Sequence, residues 1–414
     1  METGTPMTYR FPNTPKMKDI NLEVEVRNQK IWFSISGPRS FYYAPLIWYY
    51  FRWHSGLGPI ATRNGANVYS LYIPPIPSEA HNRQLEVFLD IWLFKKRIPY
   101  AVTISVTNKC QLNCLHCSLP QSTAKKQPLS LPEVKRIVAE CIDLGVTNIT
   151  FTGGEPLLEP GLEECLAAVP ADKAVAQVFS NAVGLDPERV ASLKKAGASC
   201  IHISLDSPDA EEHDRWRGRK GLFEMVERGV KNALREGLLV GLSTYATNES
   251  IASKKLSRVS ALAAEWGVHE VSVFDVIPTG RLLRRPDVMI TKANRRMLLR
   301  EARLLNGQNR GRPRIVTQSW TNSGKGFTRF LGCLAAIYQF HITAFGDFMP
   351  CDFTPLSFGN IRTDSVRDLW QRLVQHPAYC RRSHNCRMQD PGFRKTYIDS
   401  IPQDADLPCN INGG

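Results

Sequence analysis

From about residue 98 the chain repeats one pattern six times, and no other feature constrains the fold as strongly. Short β-rich apolar runs, AVTISVT (101–107), NITFTGG (148–154), AVAQVFSN (174–181), CIHISLD (200–206), LLVGLSTYAT (238–247) and EVSVFDVIP (270–278), alternate with stretches of helical periodicity. That alternation is the signature of a parallel α/β unit. In LPEVKRIVAECIDLG, for example, Leu131, Val134, Ile137 and Val138 recur at helical spacing and Ser130 is placed to cap the start. Eight strand–helix pairs close a full barrel. Six predict a partial (β/α)6 barrel, with chemistry at the carboxyl ends of the strands.

The flanks differ, which divides the 414 residues into an N-terminal α+β domain (1–95), the barrel (96–315) and a small C-terminal cysteine-rich module (316–414). The first domain opens with strand-like LEVEVRNQKIWFSISG and continues into the aromatic run FYYAPLIWYYFRW, too short to span a bilayer and interrupted by Pro45. Such aromatics fill a core or a domain contact, or, flanked by Arg39 and Arg52, lie at a membrane interface. In the last module FHITAF and FMPCDF, joined through Gly346 and Asp347, read as a hairpin, and SVRDLWQRLVQH as a helix. The segment 281–314 carries eleven basic residues against two acidic ones, a solvated basic helix and loop or an anion-binding surface.

Net charge is +13, which favours an anionic contact without choosing among nucleic acid, phospholipid and phosphorylated substrate. The first twenty residues contain no secretory apolar stretch, so a cytoplasmic location is expected, with peripheral contact at the inner face of the membrane left open. Eleven cysteines in a reducing compartment argue for metal ligation over disulfides. Cys141, Cys165 and Cys200 stand alone and read as core residues. The others cluster. CQLNCLHC places Cys110, Cys114 and Cys117 within eight residues, directly after the first predicted strand. Three thiolates hold three corners of a metal centre and leave one open, as reactive sites require; on a 4Fe-4S cluster they leave one iron free to chelate a small molecule.

CQLNCLHC as a CxxxCxxC motif at this place in the fold, followed by TGGEPLL (152–158) after the second strand, resembles the radical SAM superfamily. The resemblance implies that Cys110, Cys114 and Cys117 ligate a 4Fe-4S cluster whose fourth iron binds S-adenosyl-L-methionine. It implies further that Gly153, Gly154 and Glu155 meet the methionine end of that cofactor, and that Ser180, Asn181, Ser204 and Asp206 contact it from the ends of the third and fourth strands. Each has a plainer reading as a turn, a loop residue or a helix cap. HDRWRGRKGLF (213–223) and VIPTGR (276–281) resemble radical SAM enzymes with a C-terminal SPASM or twitch extension, which would put Arg217 and Arg281 near the cofactor carboxylate or the substrate.

GDFMPC (346–351) matches that extension's glycine-then-cysteine element. Cys333, Cys351, Cys380 and Cys386 would then hold one auxiliary 4Fe-4S cluster, with zinc as the competing occupant. Cys409 is a substitute ligand or a spare thiol, and Pro377 stands where a two-cluster pattern has another cysteine. The implied activity is reductive cleavage of S-adenosylmethionine to a 5'-deoxyadenosyl radical, with an electron donor such as flavodoxin or ferredoxin. That radical would remove hydrogen from an unactivated carbon of a peptide or small-molecule substrate, making the chain an oxidoreductase or carbon-bond-forming maturase. A membrane lipid or isoprenoid-type substrate is the alternative, and RNA is disfavoured. No catalytic acid or base is assignable from sequence; Asp206 and Asp275 are candidates because both end strands.

Overall fold

The computed structural model describes residues 6–119, 126–308, 313–317 and 332–411. All six expected strands are present: β6 (Ala101–Thr107), β7 (Asn148–Gly153), β8 (Val175–Ser180), β9 (Ala198–Ser204), β10 (Leu239–Ala246) and β11 (Glu270–Asp275), parallel neighbours in chain order. The connecting helices include α3 (Leu131–Leu144), α4 (Leu162–Ala167), α5 (Pro187–Lys195), α6 (Ala210–Arg217), α7 (Leu222–Arg235), α8 (Asn248–Ala252) and α9 (Lys255–Trp266). Ser130 caps α3 through a reciprocal box, its backbone N–H donating to Glu133 at 2.7 Å. Cys141, Cys165 and Cys200 are buried core residues, as expected.

Two further parallel strands flank the six. β12 (Arg314–Thr317), reached through the largely solvated α10 (Lys292–Gln308), pairs with β11, so the boundary expected after residue 315 falls inside a strand of the sheet. Residues 309–312 of the basic segment lie outside the described residues. On the other side β13 (Gln339–Ile342) pairs in parallel with β6, and β14 (Phe348–Met349) returns antiparallel to it. The expected hairpin is therefore real but extends the barrel sheet rather than standing in a module that folds separately. One hydrophobic core runs from Val102 through Ile342 and Trp370 to Leu407. The remaining C-terminal elements are β15 (Leu356–Ser357), α11 (Val366–Gln375), α12 (Pro391–Tyr397) and β16 (Cys409–Asn410), which pairs with β15.

The N-terminal sheet comprises β1 (Met7–Arg10), β2 (Asn21–Arg27) and β3 (Lys30–Ser36), antiparallel, with Leu22, Val24 and Val26 turned inward by strand alternation. α1 (Ser40–Leu57) packs on it through Tyr43, Ile47, Tyr50, Phe51 and His54. The hairpin β4 (Ala61–Arg63) and β5 (Ala66–Val68) precedes α2 (Glu79–Leu93), a helix buried on all sides. Leu85 and Leu89 of α2 join the N-terminal core, while Val87 and Ile91 pack against Ile337 and Tyr338.

Between β5 and α2, residues Ser70–Ile73 cross the amino-terminal mouth of the barrel. Leu71 N–H donates to the Glu270 carboxylate at 3.1 Å, Asn148 Nδ2 donates to the Tyr72 carbonyl at 3.1 Å, and Gln177 Nε2 donates to the Leu71 carbonyl. Asn148 and Glu270 open their strands and Gln177 lies in the first half of β8, so the strap closes the end opposite the cysteine loop.

Candidate active site

The loop after β6 carries Cys110, Cys114 and Cys117, and four distant segments hold it, three of them by its backbone. From the end of β7, Gly154 N–H donates to the Thr107 carbonyl and Glu155 N–H to the Lys109 carbonyl, both at 2.8 Å. A Cβ on Gly154 would overlap the Lys109 carbonyl and lie 2.8 Å from that of Asn108; only glycine permits this approach. From the end of β8, Asn181 accepts from Gln111 Nε2 at 3.4 Å and points Nδ2 at the Cys110 sulfur, 3.9 Å away. From α6, the carbonyls of Arg217 and Trp216 accept from Asn113 and Leu115 at 3.3 and 2.9 Å. After β11, Arg281 N–H donates to the Cys117 carbonyl at 3.1 Å and its Nη1 to the Cys114 carbonyl at 3.0 Å. The two stretches expected near cofactor or substrate are thus clamps on the cysteine loop, although Arg217 and Arg281 also reach the cavity wall.

Glu155 is engaged by the chain itself. Its buried carboxylate accepts from Ser180 Oγ (2.8 Å), Asn181 N–H (2.7 Å) and Leu157 N–H (3.1 Å), tying the β7 loop to the end of β8. Burial pushes this carboxyl up to about 7 against those three donors. Asp206 is likewise committed: it accepts from Arg217 Nε and Nη2 at 2.6 and 3.1 Å and lies 3.4 Å from His116 Nε2, all three side chains being buried. Burial alone would raise it, but Arg217 and His116 hold it below the usual carboxylate range. Asp206 does not line the cavity, nor does Asp275, which lies buried beside Gln389 and Arg295. Neither candidate acid faces the cavity.

Above the strap and below the loop lies a cavity of about 940 Å³, lined by Cys110, Cys114, Cys117, Gly153, Gly154, Glu155, Ser180, Asn181, Ser204 and Arg217. Its wall also carries Cys333, Cys351 and Cys386. Burial pushes the Cys351 thiol up to about 12, and the neighbouring Cys333 adds to the rise. Cys386 is raised in the same way by burial and by both other thiols. Cys380, expected with them, is exposed and faces the Pro377 carbonyl at 3.6 Å; Cys409 faces the Asp406 carbonyl at 3.5 Å. Neither lines the cavity.

Sequence reasoning missed three groups on this wall. His116, between two loop cysteines, lies 4.5 Å from Tyr245 with the rings tilted at 60°, and its buried Nδ1 has no hydrogen-bond partner among the described residues. Asp352, next to Cys351, shares with Glu155 the distinction of being the only carboxylate side chains on the wall among the described residues. His341 Nδ1 lies 3.0 Å from Asp352, and its Nε2 lies 3.3 Å from Ser105 Oγ. The adjacency of Asp352 to Cys351 was the available signal.

Among the described residues no three His, Cys, Asp or Glu side chains are set to hold a metal ion as they stand. The chemistry of the donors nevertheless suits an iron–sulfur cluster: three thiols on one loop open on a cavity, with N–H groups of Asn181 and Arg217 directed at Cys110 and Cys114.

Residues 104–250 match the radical SAM superfamily profile, and residues 333–390 match that of an iron–sulfur cluster-binding domain, SPASM. The AdoMet-dependent heme synthase of Methanosarcina barkeri is 26% identical over 66% of this chain and 82% of its own length. The sporulation killing factor maturation protein SkfB of Bacillus subtilis is 28% identical over 67% of each chain. Among solved structures, Streptococcus suis SuiB bound to its precursor peptide SuiA superposes with a TM-score of 0.56 at 17% identity, covering 88% of both chains, a likeness of fold. The chain thus carries a radical SAM domain and a C-terminal SPASM-type iron–sulfur domain, and is a radical SAM enzyme whose cofactors are a 4Fe-4S cluster, S-adenosylmethionine and auxiliary iron–sulfur.

Proposed function

We propose that Cys110, Cys114 and Cys117 ligate the cluster that binds S-adenosylmethionine, and that Cys333, Cys351 and Cys386 ligate one auxiliary cluster on the opposite part of the same wall. One observation carries this reading: both thiol groups open on a single closed-bottomed cavity. When bound, the first cluster supplies an electron, from a donor such as flavodoxin or ferredoxin, that cleaves the sulfonium to methionine and a 5'-deoxyadenosyl radical able to remove hydrogen from an unactivated carbon. The protein's part is to bind, orient and shield. Gly153, Gly154, Ser180, Asn181 and Ser204 line the cofactor's side of the cavity. The strap at Ser70–Ile73 keeps water from entering through the barrel floor, and Asp352, oriented by His341, stands on the cavity wall as a carboxylate able to take a proton from the substrate.

A peptide side chain or a compact small molecule suits a cavity of this size and closure. SuiB, which shares the fold, was crystallised with a precursor peptide, and SkfB is a maturation protein. Anaerobic reconstitution followed by reduction tests the proposal. Loaded protein should contain about eight irons, four per cluster, and convert S-adenosylmethionine to 5'-deoxyadenosine. A Cys110→Ala/Cys114→Ala/Cys117→Ala variant should yield none, and 5'-deoxyadenosine from that variant would refute the assignment.

A further inference from the structure

The aromatic run that the sequence leaves divided between core and interface is divided within one helix. α1 buries Tyr43, Ile47, Tyr50, Phe51 and His54 but leaves a stripe along its outer side: Phe41 (67% exposed), Tyr42 (67%), Trp48 (51%) and Tyr49 (36%), with Pro45 and Arg52 completing it. Positions 41, 45, 48 and 52 fall on one helical line. Arg52 stands over the Trp48 ring, 5.0 Å from its centroid.

Two observations identify what this stripe meets. The chain has no Asp or Glu from Val26 through Ser78, while Arg27, Lys30, Arg39, Arg52 and Arg63 fall in that span, so the stripe sits in a purely cationic stretch. A second copy of the chain would set these like charges against one another across a two-fold interface. In addition, Trp53 and Leu57, on the flank between the stripe and the core, line the internal cavity. Amphipathic aromatics beside arginines, on a helix too polar to cross a bilayer, suit the headgroup level of an anionic membrane.

We infer that the outer face of α1 docks the enzyme on an anionic phospholipid surface, setting the cavity's α1 flank beside the bilayer. The inference is independent of the chemistry proposed above. The test is flotation of the reconstituted full chain with vesicles of phosphatidylcholine alone and of phosphatidylcholine with phosphatidylglycerol. The wild type should float with the anionic vesicles and not with the neutral ones, less so as salt rises. At about fivefold per arginine near such a surface, Arg39→Gln/Arg52→Gln should weaken binding about 25-fold, and Trp48→Ser/Tyr49→Ser should weaken it at least as much. Both variants should keep wild-type iron content and wild-type cleavage of S-adenosylmethionine in solution, since neither pair of residues touches the cavity. Failure of the wild type to float, equal flotation of both variants, or a dimer that Trp48→Ser/Tyr49→Ser dissociates would each overturn the inference.

Discussion

Replacing Arg217 by Met should be among the most destabilising single changes near the site. The Arg217 and Asp206 side chains are 9% and 4% exposed and share two hydrogen bonds, so removing the guanidinium leaves a buried carboxylate beside His116, 3.4 Å away, and His213, two imidazoles that burial holds neutral down to about pH 4. Breaking one half of a buried pair costs roughly 3–5 kcal/mol, much of it the penalty of the orphaned charge. Asp206→Asn/Arg217→Met removes both charges and should recover about half of that loss, roughly 2 kcal/mol relative to Arg217→Met alone. The pH dependence follows in sign. In the wild type the depressed Asp206 adds stability above the ordinary carboxylate range and loses it as pH falls through its folded value; in Arg217→Met burial prevails, the carboxyl rises, and the variant's deficit narrows on acidification. Urea unfolding of the anaerobically purified proteins, at pH 7.5 and pH 5.5 as chosen conditions of about two pH units' separation, reads both effects. A loss below about 1 kcal/mol for Arg217→Met, or a double variant as unstable as the sum of the singles, would refute the reasoning.

Three further outcomes are expected. Ala at Cys333, Cys351 or Cys386 should remove about four irons per chain while Cys380→Ala removes none, as iron and sulfide analysis will report. Asp352→Asn should still form 5'-deoxyadenosine but lose product by roughly 10²-fold or more, the scale of a missing general base, read by mass spectrometry. Gly154→Ala must push back the Lys109 carbonyl; a displacement on the order of 1 Å in the cysteine loop should lower cofactor cleavage by about 10²-fold.

The six barrel strands were legible because each is a local apolar run whose partner is the next run in the chain. The cysteine loop was legible because its ligands lie within eight residues. What escaped depends on partners far away. The pairing of β13 with β6 joins Phe340 to Val102 through four residues that carry no register signal of their own. The strap at Leu71 reads as a loop until Gln177 and Glu270 are seen to bond it. Asp206 looked like a free acid because nothing local announces Arg217, eleven residues on, as its partner. Cys380 was expected in the auxiliary set through the family resemblance, but the chain leaves its thiol exposed.

With Cys110, Cys114 and Cys117 as its three ligands, the first cluster would leave one iron open to S-adenosylmethionine. In a Cys333→Ala/Cys351→Ala/Cys386→Ala background, which silences the auxiliary signal, paramagnetic resonance of the reduced protein should shift when S-adenosylmethionine is added. A spectrum left unchanged by saturating cofactor would contradict an open iron at this loop.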